Sequence, residues 1–104
     1  MIPPTVVHCK KSFYDIYIGR PSSLGNPFII GRDGTRKEVC DKYEAWIEEW
    51  IVEGKDKVIG NQSNRWIAEY LKELDGKILG GWCWPRLCHG VVLRRLFIKY
   101  VMGS

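Results

Sequence analysis

The hydrophobic positions of this chain change period near residue 35. Before it they come in short β-branched or alternating runs: Thr5-Val6-Val7-His8-Cys9, Tyr14-Asp15-Ile16-Tyr17-Ile18, and Pro27-Phe28-Ile29-Ile30, the last closed by Gly31-Arg32-Asp33-Gly34. Runs of this kind, bounded by turn residues, predict three strands. Thr35-Arg36-Lys37-Glu38 then matches a capping box, in which hydroxyl and carboxylate each satisfy an orphan amide at a helix start. Beyond it Val39, Tyr43, Trp46, Ile47, Trp50 and Ile51 fall at steps of three and four, which predicts an amphipathic helix. Residues 54–60 read as a polar turn. Trp66, Ile67, Tyr70, Leu71 and Leu74 repeat the helical period until Asp75-Gly76 stops it. The helical spacing of Trp46, Trp50 and Trp66 assigns all three indoles to the core.

Lys77-Ile78-Leu79-Gly80-Gly81-Trp82-Cys83 has no polar alternation and predicts a strand buried on both faces, as in a parallel sheet covered by helices. A last helix follows, with Val92, Leu93, Leu96, Phe97, Tyr100 and Val101 on its apolar face and Arg94, Arg95 and Lys99 elsewhere. Strands, two helices, strand and helix together predict one compact α/β domain over residues 1–104. Ligands of such sheets sit beyond the carboxyl ends of the strands. Two loops of this chain fall there, one after Ile18 and one after Trp82.

Composition narrows the function classes. The 104 residues are 45 % hydrophobic and 27 % charged, with no apolar run near the ~20 residues of a spanning helix. Met1-Ile2-Pro3-Pro4-Thr5 lacks a basic stretch followed by an apolar one, so no secretory signal is expected. A cytoplasmic location with reduced cysteines follows as the expectation. The net charge of +4 falls short of a nucleic-acid stripe, although Arg94, Arg95 and Lys99 with Arg32, Arg36 and Lys37 keep nucleic acid as a less favoured partner. Five tryptophans, five tyrosines and three phenylalanines leave aromatic surface for a homo-oligomer interface.

The loop after Ile18 reads Gly19-Arg20-Pro21-Ser22-Ser23-Leu24-Gly25-Asn26. It offers a fixed positive charge, two hydroxyls, an amide and glycines that admit close backbone approach, the groups that a phosphate or ribose needs. The same residues also suit plain turn geometry. The second loop reads Trp82-Cys83-Trp84-Pro85-Arg86-Leu87-Cys88-His89-Gly90. Cys88 and His89 would stand near a helix amino terminus, where the dipole lowers a thiol's pKa and attracts anions. Zinc would use Cys83, Cys88 and His89 with a distant Cys9, His8 or Cys40, but the spacing is long for a finger and no second close pair exists. No metal and no cofactor is expected.

Asp15-x-Tyr17-Ile18-Gly19-Arg20-Pro21-Ser22, Gly25-Asn26-Pro27-Phe28, Asp33-Gly34-Thr35-Arg36 and Cys83-x-Pro85-x-x-Cys88-His89-Gly90, in this order, resemble a small bacterial and phage family, domain of unknown function 4326, over about residues 5 to 97. The resemblance implies a Rossmann-like α/β fold and a nucleotide-type ligand. With the chain's own pattern this becomes a compact sheet of about four strands with about three packed helices. The family pattern often has an acid where Val91 stands, an aromatic where Leu24 stands, and a further Cys before Trp82-Cys83. Without that acid a candidate general base is missing, which shifts weight from catalysis to binding.

The expected function is therefore binding of a nucleotide or nucleotide derivative, a small phosphorylated or ribosylated ligand, with a phage origin and sequestration of a nucleotide signal as its setting. Gly19, Arg20, Ser22, Ser23, Gly25, Asn26, Trp82, Cys83, Trp84, Cys88, His89 and Gly90 are the expected ligand-binding residues. Arg20 would pair with phosphate, Ser22, Ser23 and Asn26 with oxygens, and Trp82 or Trp84 would stack a base. The alternatives are an enzyme acting on a nucleoside or nucleotide glycosidic bond, with Cys88 or Asp15 as the reactive group, and a protein that binds a host protein or nucleic acid.

Overall fold

The computed structural model describes residues 1–20, 22–82 and 89–103. The chain runs through β1 (Thr5–His8), β2 (Ile16–Tyr17), α1 (Arg36–Glu53), β3 (Val58–Ile59), β4 (Gln62–Ser63), α2 (Asn64–Tyr70), a 3-10 turn (Leu71–Leu74), β5 (Ile78–Gly81) and α3 (His89–Leu96), which ends in a π-helical turn (Phe97–Val101). β1, β5 and β2 form a parallel sheet in that order, with Thr5 opposite Ile78, His8 opposite Gly81 and Ile16 opposite Leu79. β3 and β4 pair as a separate antiparallel hairpin. The molecule is thus a mixed α/β protein with a small parallel sheet.

The expected central strand is present and central, since β5 has a parallel neighbour on each side. Its two faces are covered differently from the expectation of helices on both. Gly90, at the start of α3, approaches the sheet so closely that a Cβ there would stand 2.8 Å from Ile18 Cδ1 and 2.9 Å from Val6 Cγ1. At Gly80 a Cβ would stand 2.5 Å from Tyr14 Cγ. Gly80 therefore admits the Tyr14 ring of the connection between β1 and β2, a connection that contains no helix.

The strand expected at residues 27–30 does not form, which leaves three parallel strands among the described residues instead of about four. Its backbone groups are taken locally. Phe28 N donates to Asn26 Oδ1, Ile29 N to Asp33 Oδ2, and Asp33 N to Ile29 O, so little remains to pair with a sheet. Only an isolated bridge joins Ile30 to Gly34.

α1 begins as its capping box predicts, with Thr35 Oγ1 accepting from Glu38 N and Thr35 N donating to Glu38 Oε1. It stops at Gly54, whose φ of +70° a side chain would resist. Val39, Cys40, Tyr43, Trp46 and Ile47 form its buried face. Cys40, Tyr43, Trp46 and Ile47 join Ile67, Leu71, Leu74, Leu79, Val92, Leu93, Leu96 and Phe97 in one core. The polar turn expected at residues 54–60 contains β3, and fully buried Asn64 holds the hairpin down: its Nδ2 donates to Trp46 O and Lys55 O while its Oδ1 accepts from Lys57 N.

Of the three indoles assigned to the core, Trp46 is there. Trp50 is half-buried, with the Arg65 guanidinium 4.8 Å above its ring, and Trp66 is 43 % exposed. The short α2 buries the stripe of Asn64 and Ile67, continued by Leu71 and Leu74, which turns Trp66 outward to stack on Tyr70 at 4.8 Å.

Candidate functional site

Because β2 and β5 are parallel neighbours, the chain at residues 18–20 and at Trp82 leaves the sheet at the same carboxyl end. The contact between the loops is direct. Trp82 Nε1 donates to the Tyr17 hydroxyl at 2.6 Å, and that hydroxyl donates to Arg20 O at 3.1 Å. Gly19 has no room for a side chain here, since a Cβ would collide with the Tyr17 hydroxyl and stand 3.0 Å from Trp82 Cδ1. The indole is consequently fixed in orientation although 52 % exposed, with His8 edge-on at 5.9 Å and Lys10 Nζ 5.4 Å from the ring centroid.

Between these loops and the start of α1 lies a cleft of about 340 Å³. Gly19, Arg20, Asn26, Trp82 and His89, all expected from the sequence, line it. Arg36, Val39 and Cys40 of α1 and the chain at Phe28, Ile29 and Ile30 complete the wall. The lining holds two guanidinium groups and no carboxylate among the described residues, so its field favours an anion. Phe28, Ile29 and Ile30 make part of it apolar, which suits a ligand with a flat, weakly polar portion.

His89, the first residue of α3, connects cleft and sheet. Its Nε2 lies 2.5 Å from Ile18 O. A carbonyl can only accept, so Nε2 carries the proton and the neutral ring keeps Nδ1 as an acceptor. Burial of the imidazole pushes its pKa below the ordinary value, the bond to Ile18 opposes this, and the nearby Arg20 charge adds to the lowering. The ring also meets Tyr43 edge-on at 5.5 Å.

Several loop residues are occupied in holding the loop. Asn26 is 7 % exposed, donating from Nδ2 to Val39 O and accepting at Oδ1 from Phe28 N. Ser22 Oγ accepts from Leu24 N, and Gln62 Nε2 donates to Ser22 O and Gly25 O. Arg20 donates from Nε to Asn26 O and from Nη2 to Phe28 O. Ser22, Ser23, Gly25 and Gly90 do not line the cleft. Asp15 stands at the opposite end of the sheet, where its carboxylate accepts from Ile78 N at 2.8 Å. Cys83, Trp84 and Cys88 lie outside the described residues.

Arg36 enters the cleft without having been expected there. Its signal was its place in the Asp33-Gly34-Thr35-Arg36 stretch of the family pattern, which a reading of helix periodicity passes over as a solvated position.

The family model for the domain of unknown function DUF4326 matches residues 7–99. The chain belongs to the DUF4326 family. No curated protein and no solved structure matches it. In this DUF4326 chain the matched segment contains every residue lining the cleft.

Proposed function

We propose that the cleft binds a nucleotide or a nucleotide derivative. The observation that carries this reading is the pairing of an indole locked by a hydrogen bond with two arginines around one cleft that, among the described residues, has no carboxylate. A ligand combining an aromatic base with an anionic group matches both halves. Trp82 supplies a stacking surface whose rotation is already restricted, so little side-chain entropy is lost on binding. The arginines supply charge, and the Nδ1 acceptor of His89 suits a ribose hydroxyl. The position beyond the carboxyl ends of parallel strands is the usual one for such ligands in α/β sheets.

Isothermal titration against nucleotides, ADP-ribose derivatives and cyclic dinucleotides tests the reading. At least one should bind, and Trp82→Ala should weaken it by about 1–3 kcal/mol, the range for one stacked base. A panel with no binder, or full affinity in the variant, counts against it.

A further inference from the structure

Arg36 is the first residue of α1 and lines the cleft. Its Nη1 is shielded from solvent and has no hydrogen-bond partner. The other arginines of the described chain differ. Arg20 donates to two carbonyls, Arg32, Arg65 and Arg95 meet Asp33, Glu69 and Glu44, and Arg94 is exposed to water. A shielded guanidinium nitrogen without an acceptor is costly to keep, because it has lost water and gained nothing.

We propose that Arg36 is the principal ligand of a phosphoryl subsite in the cleft, with Arg20, which lines the same cleft, as the second. Arg20 is held by its bonds to Asn26 O and Phe28 O, and the donors that these do not use can reach a second anion oxygen. Arg36 turns to meet the group. Nη1 holds no acceptor where it stands, so that rotation breaks no hydrogen bond at this atom. Two guanidinium groups with no carboxylate among the described residues lining the same cleft match the charge of a phosphoryl dianion better than that of a monoanionic carboxylate. This deepens the nucleotide reading and rests on it for the remainder of the ligand.

The full chain is titrated with inorganic phosphate, pyrophosphate and acetate at constant ionic strength, followed by thermal unfolding and phosphorus NMR. Phosphate and pyrophosphate should raise the unfolding temperature and acetate should not. Arg36→Met should weaken phosphate binding by about ten- to a hundredfold, while the unliganded variant unfolds no earlier than the wild type, since the orphaned donor is gone. Arg36→Lys, which keeps the charge without the planar fork, should retain only part of the affinity. Equal stabilisation by acetate, or phosphate affinity unchanged in both variants, overturns the subsite. Nucleotide binding that survives Arg36→Met overturns the subsite and leaves the cleft reading standing. Arg36-dependent phosphate binding with no nucleotide bound does the reverse.

Discussion

Burial holds the His89 imidazole neutral, so protonating it works against the fold. An unfolded chain titrates its histidine near 6.5, whereas in the native chain the value is lower. Between the two values the unfolded state binds the extra proton, so this contribution is complete above about pH 6.5 and is lost as the pH falls below it. His89→Gln keeps a side-chain donor for Ile18 O but cannot titrate. Thermal unfolding followed from about pH 7 to 5 should show a shallower decline for the variant; an equally steep one would assign the decline to other groups. Asn64 makes a stronger demand, because its amide satisfies three backbone groups in the interior. Asn64→Ala removes all three bonds and should cost on the order of 2–4 kcal/mol in chemical denaturation. Neither role was visible in the sequence. Asn64 carries no pattern of its own in the sequence, and a histidine at a helix start reads equally well as a ligand.

At the scale of elements, signals confined to consecutive residues translated well. The capping box started α1 where it stood, the run at Ile78-Leu79-Gly80-Gly81 became the central strand, and the last helix buried its apolar stripe. The strand at residues 27–30 failed for a reason equally local: Asn26 and Asp33 offered its amides nearer partners than a sheet could. Gly80 is where one element makes room for another. Gly80→Ala should destabilise the protein by about 1–3 kcal/mol through overpacking against Tyr14. The cost should shrink when Tyr14→Ala is combined with it, and strictly additive effects in that cycle would show that the ring is not the obstacle.

For the whole molecule, the parallel order β1-β5-β2 is what turns two loops far apart in the chain into one cleft. The sequence by itself determined the helices, the central strand, the mild charge and the loops with candidate chemistry, because periodicity, capping and composition are properties of neighbours along the chain. Only the tertiary structure decided which loop residues face the cleft and which merely pin the loop. It turned Trp66 to solvent, left Asp15 at the far end of the sheet, and set Arg36 against the cleft with a nitrogen unpartnered. Exposure and hydrogen-bond partners depend on groups many residues away, as with Gln62 on Gly25 or Trp82 on Tyr17, and no local pattern encodes those meetings.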